Sequence, residues 1–416
     1  MSHNKRSRNR QFTSACQLEI QALETRQLLT ADIIDKDPDA QIVIMPYAAP
    51  AVDGGTVSVT ISRAGDITLI GDDKPNQVSV QIAGSTLIVD GLQATKFRLP
   101  GQTAQPVLEV PLPATVRSLT ISLSSGSDNL DVRVGSDATI TRDIAVSLGS
   151  GEDSLTLQVV SADLKVNQNI TVDLGAGNDL AHVFTADAAS IFAGRDITMR
   201  GAAGNDSIMA GDGDFVDLDN LYSVEYFQGL ENNSEIPQNQ RIRAGRDFNV
   251  DLAAGNDRLT LLNVESGRDL SVAAAAGNDI VIASNLRANR NASFTDAESA
   301  ALQNITAVSN LSIRGGTGAD KISLNAVDVS RLQVDLGAGN DQLSLSESVS
   351  VKADSSVNGG TGTNALYSGK TQPKITVRRA TQTLTSQQSL ELLISVLDDM
   401  IGEGNGIMPA QIVMAE

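Results

Sequence analysis

The chain has 416 residues, 41% of them hydrophobic but only 3% aromatic and none Trp, so any core must be built from Val, Ile, Leu and Ala. Fifty acids against 31 bases leave a formal charge of −19, which repels nucleic acid and anionic lipid and excludes a nucleic-acid function. A single cysteine, Cys16, rules out an internal disulfide framework, and no run of 18 apolar residues occurs that would cross a membrane as a helix.

Residues 1–31 read as a targeting segment. Lys5, Arg6, Arg8 and Arg10 form a basic lead, but the chain continues into "LEIQALETRQLLTAD" without the apolar stretch of a signal peptide. The segment Leu23-Glu24-Thr25-Arg26-Gln27-Leu28-Leu29 resembles the LEPR-x-LL motif near the start of large planctomycete-type surface proteins, with Thr25 in place of Pro. The resemblance implies an extracellular or cell-surface protein with a β-rich body. A short amphipathic helix in a tail is the alternative reading. Residues 32–54 are a linker.

From about residue 55 the chain repeats. "DITLIGDDKPNQVSV" sets Asn76 after a Gly-Asp turn and follows it with Val78 and Val80, which predicts irregular coils up to about Val116. Beyond them "AGND" ends at Asp179, Asp206, Asp257, Asp279 and Asp341, with looser forms at Asp128, Asp153, Asp320 and Asn364. Successive turn acids lie 25 (153−128), 26 (179−153) and 27 (206−179) residues apart, and later 22 (279−257) and 21 (341−320). Gaps of 51 (257−206) and 41 (320−279) are two periods each and predict a degenerate repeat near Gly229 and another near Asp296.

Apolar residues alternate on both sides of each turn, as in Ile170/Val172/Leu174 before Asp179 and Leu259/Leu261 after Asp257. A strand–turn–strand unit of this size cannot bury its apolar face alone, so neighbours must stack. The prediction for 55–370 is an all-β fold, a parallel β-solenoid or β-helix of roughly ten 21–27-residue coils, about 50 Å long at one sheet spacing per coil. An antiparallel sandwich or a tandem of small β-modules is the runner-up. The pairs Arg142-Asp143, Arg195-Asp196, Arg246-Asp247 and Arg268-Asp269 recur at strand entry and predict an ion-pair ladder at a second corner.

The stretch "GGTGADKIS", Gly315 to Ser323, fits the nonapeptide GGxGxDxUx and resembles the RTX calcium-binding β-roll. That resemblance implies Ca²⁺ shared between successive turns, with Asp179, Asp206, Asp257, Asp279, Asp320 and Asp341 as its carboxylate ligands. The residues themselves also permit a metal-free corner, shaped by glycine and closed by Asn and Asp hydrogen bonds to backbone. Ala253 and Ala275 stand where the second glycine of the phrase is expected, and alanine disfavours positive φ. Asp212, Asp214, Asp217 and Asp219 do not make an EF-hand, since Val216 and Asp217 fall at its fifth and sixth positions.

Catalytic groups are scarce. His3 lies in the basic tail, His182 follows a turn, and neither can complete a triad or a zinc site. Tyr222, Tyr226 and Phe227 cluster beside the acidic loop at 212–219, where an insertion would hold a ligand site if it held one. The expectation is a non-enzymatic surface solenoid, structural or adhesive, contacting a polysaccharide or protein of the cell surface or matrix. The alternative is a polysaccharide-binding or polysaccharide-degrading parallel β-helix. Residues 371–416 hold the strand "KITVRR" and an amphipathic helix with Leu390, Leu393, Ile394, Leu397 and Ile401 on one face, expected to cap the last coil.

Overall fold

The structure, a computed structural model, describes residues 54–186, 188–212, 241–370 and 374–402. They belong to the compact unit Ala51–Glu416. The unit Met1–Pro50, and with it the basic lead and Leu23–Leu29, lies outside the described residues.

The repeat builds a parallel β-solenoid. One coil consists of Ile144–Ser150 before the turn, Ser154–Val160 after it and Asp163–Val166 on a third face. The next coil repeats this as Ile170–Ala176, Leu180–Ala186 and Ser190–Ala193. Registers hold inward residue over inward residue, with Val146 on Val172, Leu157 on Val183 and Leu164 on Ile191. Columns of Val, Ile and Leu therefore run through one continuous core, in which Leu148, Leu174, Leu252 and Leu259 are fully buried. Each such side chain contributes about 1.5–3 kcal/mol, a gain a lone coil could not make.

The start differs from the expected run of irregular coils. Asp66–Ile70 and Gln77–Ala83 do form a coil, parallel to Ser118–Ser122 and Asn129–Val134. Thr56–Ile61, however, pairs antiparallel with Asp66–Ile70, and Thr86–Gly91 pairs antiparallel with both Gln77–Ala83 and Val107–Pro111. The first coil thus carries hairpins on its outer edge. Tight turns at Gly65 and Gly84, both at positive φ, send the chain straight back where a coil would have gone around.

The two long gaps resolve differently. Between Asp206 and Asp257 no extra coil intervenes among the described residues: Ile197 pairs directly with Phe248 and Ser207 with Arg258. The chain leaves after Asp212 and returns at Arg241, so the repeat expected near Gly229 is an insertion, and residues 213–240 lie outside the described residues. Between Asp279 and Asp320 a coil is present, with Ile280 on Ser299 and Ser299 on Lys321. Its turn residue is Glu298, two positions from Asp296.

The C-terminal helix, Ser386–Gly402, begins with a capping box. The Thr385 N–H donates to Gln388 Oε1 at 2.9 Å and the Gln388 N–H to Thr385 Oγ1 at 3.2 Å. The helix packs on post-turn strands of the flank, Ile280–Ala288, Ser299–Arg314, Lys321–Asn325 and Gln342–Leu345. Outward residues there (Ile282, Ala301, Ser323 and Ser344) are buried. Ser389 hydrogen-bonds Ser344, and Lys321 Nζ donates to Ser395 Oγ at 2.7 Å. The buried helix residues are Leu392 and Val396, whereas Leu390, Leu393 and Ile394 are half-buried and the side chains of Leu397 and Ile401 are outside the described set. Ser389 and Ser395, through these hydrogen bonds, share the sheet-facing side of the helix with Leu392 and Val396. Val377, in the last coil, stays 42% exposed.

Candidate functional site

The recurrent phrase has a steric origin. Gly177, Gly255 and Gly277 hold φ of +149, +154 and +154 degrees, and a Cβ on each would overlap the carbonyl oxygen of the glycine one coil earlier, Gly151, Gly204 and Gly255 respectively. Backbone stacks on backbone at this corner, so only glycine fits. Two residues earlier the position is less strict. Ala202, Ala253 and Ala275 adopt φ of +78, +65 and +74 degrees, against the expectation from alanine's preference. That conformation costs about 1–2 kcal/mol each. It is offset at two of them by cross-coil hydrogen bonds, Ala254 N–H to Ala202 O and Ala276 N–H to Ala253 O, both at 3.0 Å.

Beside the glycine, Asn and Asp make two ladders of opposite polarity. On the exposed side, Asn178 Oδ1 accepts from the Asn205 N–H at 2.8 Å, Asn205 Oδ1 from Asn256 at 2.7 Å, and Asn256 Oδ1 from Asn278 at 2.9 Å, each acceptor serving the next coil. On the buried side each acid except Asp320 serves the previous coil. Asp153 Oδ1 accepts from the Asp128 N–H at 2.7 Å, Asp179 from Asp153 at 2.8 Å, Asp206 from Asp179 at 2.9 Å, Asp257 from Asp206 at 2.7 Å and Asp279 from Asp257 at 2.8 Å. Glu298 Oε2 then takes the Asp279 N–H at 2.7 Å, Asp341 takes that of Asp320 at 3.1 Å, and Asn364 that of Asp341 at 3.0 Å. The six acids singled out in the sequence thus lie in one column, at most 2% exposed. The column also includes Asn76, Asp128, Asp153, Glu298 and Asn364. Glu298 was missed because "TDAES" carries none of the glycine phrase.

The second carboxyl oxygen defines the column's chemistry. Oδ2 of Asp128, Asp153, Asp179, Asp206, Asp257, Asp279 and Asp341 is buried without a hydrogen bond, as are both oxygens of Asp320. The place a Cβ of Gly201 would take lies 2.5 Å from Asp206 Oδ2 and 3.0 Å from the carbonyl oxygen of Leu252 in the next coil. Asp320 Oδ2 and the Leu336 carbonyl crowd Gly315 in the same way. At Asp206 and Asp320 Oδ2 therefore shares its neighbourhood with a carbonyl oxygen of the next coil, which can only accept.

At the ends of the column the same place is held by an amide nitrogen. Asn76 Nδ2 faces the Leu123 carbonyl at 3.4 Å, and Asn364 Nδ2 faces that of Arg379 at 3.4 Å and donates to Gly359 O. A protonated carboxyl reproduces this arrangement, and a carboxylate does not. Burial pushes Asp128, Asp179, Asp206, Asp279 and Asp320 up to about 7 and Asp257 up to about 6, and it raises Asp153 and Asp341. Neighbouring acids add to several of these shifts: Asp72 to Asp128, Glu152 to Asp179, and Glu298 and Asp296 to both Asp279 and Asp320.

Ca²⁺ takes about six to eight oxygens. Among the described residues no group of three or more His, Cys, Asp or Glu side chains is placed to hold a metal, and along most of the column Oδ1 is already engaged.

The second corner carries the predicted Arg/Asp ladder, and its pairs cross between coils. Arg117 Nε donates to Asp66 at 2.8 Å, Arg246 to Asp196 at 2.9 Å, Arg268 to Asp247 at 2.7 Å and Arg290 to Asp269 at 2.7 Å. Hydrogen bonds from Arg246 and Arg290 hold the Asp196 and Asp269 carboxyls below their usual range. These guanidiniums are 42–50% exposed, so solvent screens the pairs and they add little to stability. His182 stands on the outward side of its strand, half-buried, in register with Thr156 and Met209, and burial lowers its pKa. Tyr222, Tyr226, Phe227 and the acids at 214–219 lie outside the described residues, as does the side chain of Asp212.

Compared with known proteins, the chain matches no family model, no curated protein and no solved structure at a significant level.

Proposed function

We propose that this chain is a non-enzymatic β-solenoid of the cell surface or extracellular space, with a structural or adhesive role. The supporting observation is how its acids are used. Most members of the column have one oxygen tied to the backbone of the neighbouring coil and the other turned inward, away from any substrate. A glycoside-cleaving pair needs two carboxyls facing a sugar across an open cleft. Stacking acids along an axis serves rigidity. The basic lead and Leu23–Leu29 add the surface location to this reading, through their resemblance to the planctomycete-type motif.

Fractionation of cells producing the full chain and a chain beginning at Ala31 tests the reading. The full chain is expected in the surface or secreted fraction, accessible to added protease, and the shortened one inside. Equal retention of both in the cytoplasm would defeat it. Calcium is implied by the RTX resemblance, and the ionised carboxyls of Asp179, Asp206, Asp257, Asp279, Asp320 and Asp341 would be its ligands.

A further inference from the structure

The arginine corner is irregular in one place. Along the ladder a guanidinium sits on the carboxylate of the preceding coil, and register fixes which residue that is. For Arg246, Arg268 and Arg290 it is Asp196, Asp247 and Asp269. For Arg142 the equivalent residue is Ser118, and for Arg195 it is Asn169. Arg195 consequently has no carboxylate within ion-pair distance among the described residues, and Arg142 only that of its own neighbour Asp143, at 3.9 Å. Both side chains are exposed.

These two arginines border an open groove of 760 Å³ that runs lengthwise across the coils from Asp66 to Arg246. Among its lining residues are the outward Thr120, Thr171 and Thr198, aligned by the strand registers. The acids on its rim are engaged: Asp66 by Arg117, Asp196 by Arg246, and Asp143 by the Asn169 N–H at 3.1 Å and Nδ2 at 2.9 Å. Two coils separate Arg142 from Arg195, about 10 Å at one sheet spacing per coil.

We infer that this groove binds a linear acidic polysaccharide laid along the solenoid axis, with Arg142 and Arg195 gripping successive carboxylate or sulfate groups and the threonine hydroxyls meeting the sugars between them. Guanidinium binds either oxyanion in a forked geometry. No aromatic residue lines the groove, so it offers no platform on which bases could stack. Its lining is polar or charged apart from Ile144 and Ala145, which gives an apolar peptide anchor little to engage.

The proposal rests on the adhesive reading above and names its ligand class. Its test uses purified full-length protein, so its failure is separate from a failure of the localisation experiment. Binding to immobilised polygalacturonate, dextran sulfate and neutral dextran is measured at low and moderate salt for three proteins. These are the wild type, Arg142→Gln/Arg195→Gln, and Arg268→Gln, which removes a paired arginine of the same ladder.

The wild type is expected to bind at least one polyanion, the stronger of the two telling carboxylate from sulfate, and to ignore dextran. The double variant should lose about tenfold or more in affinity without a change in melting, since each lost charged contact is a substantial part of the interaction. Arg268→Gln should stay within about twofold of wild type. No binding to either polyanion, equal binding to neutral dextran, an unimpaired double variant, or an equal loss in Arg268→Gln would each overturn the proposal.

Discussion

Replacing one acid of the column by its amide isolates the role of the proton. Asp179 is fully buried, its Oδ1 accepts the Asp153 N–H and its Oδ2 has no donor. Burial raises its pKa from 3.8 to about 7. Below about pH 3.8 the carboxyl is protonated in both folded and unfolded chains, and its contribution is fully present. As pH rises the unfolded chain ionises first, so stability is lost between about pH 4 and pH 7 and then levels off. A rise from 3.8 to about 7, at about 1.36 kcal/mol for each pH unit, amounts to roughly 4 kcal/mol at this site.

Asparagine keeps the acceptor, supplies the donor that Oδ2 lacks and has no proton to lose. Asp179→Asn should therefore match wild type at pH 4 and exceed it by up to roughly 4 kcal/mol at pH 8, less whatever the coupled neighbours absorb by sharing protons. Urea denaturation at both pH values, in the presence of a chelator, reads the difference as a shift in midpoint. Wild-type stability that climbs from pH 4 to pH 7.5, or an Asn variant that is weaker at pH 8, would refute a protonated column.

Three further outcomes follow from the same geometry. Gly177→Ala should cost about 3 kcal/mol or more, because its Cβ would overlap the Gly151 carbonyl at φ +149 degrees, whereas Gly84→Ala, at φ +59 degrees with open space around it, should cost only about 1 kcal/mol; similar melting of the two variants would mean the corner is not sterically closed. Millimolar Ca²⁺ should raise the melting temperature at pH 8 and leave it unchanged at pH 5, with Asp320→Ala removing part of the pH 8 gain; ligand at about a hundred times its dissociation constant contributes about 2.7 kcal/mol per site, so equal melting with calcium or chelator at pH 8 excludes the ion. Leu392→Ala should cost about 2–5 kcal/mol of helix docking and speed proteolysis within 386–402, while Leu390→Ala, at a half-buried position, should do much less; equal effects would place the helix on its other face.

Much of this architecture is written in the sequence because stacking repeats the same constraints. Glycine recurs at 151, 177, 204, 255 and 277 since each backbone lies against the last, and Ile170/Val172/Leu174 alternate since one strand face is buried. The remainder was obscured for specific reasons. The strands of the N-terminal hairpins alternate like those of a coil, and only the tight turns at Gly65 and Gly84 distinguish a reversal from a corner. An insertion at 213–240 is close to one period long, so spacing alone imitates a missing repeat. Glu298 reaches the Asp279 N–H with an extra methylene and needs no glycine turn to do so. The helix carries two overlapping apolar stripes, and which one docks is decided by a sheet face distant in sequence. In the acid column, the turn phrase disclosed the carboxylates but not that their second oxygen is buried without a donor, near a next-coil carbonyl at Asp206 and Asp320, which is a relation between coils.

The ends of the column make the reverse experiment informative. At Asn364 the Asp341 N–H must find an oxygen, which fixes Oδ1 and leaves Nδ2 toward the carbonyls of Gly359 and Arg379. An amide there keeps donor and acceptor at every pH, which confines the column's pH sensitivity to the coils between Asn76 and Asn364. Asn364→Asp puts Oδ2 against two carbonyl oxygens. Protonated, it donates as the amide did; ionised, it sets a buried charge, 1% exposed in the parent residue, against two acceptors. The variant should be near wild type at pH 4 and lose stability progressively toward pH 8, steepening the pH dependence that Asp179→Asn flattens. Measured by the same urea midpoints, a loss of equal size at both pH values would mean that the substitution disturbs packing rather than protonation. The two variants together then separate the proton from the shape of the side chain that carries it.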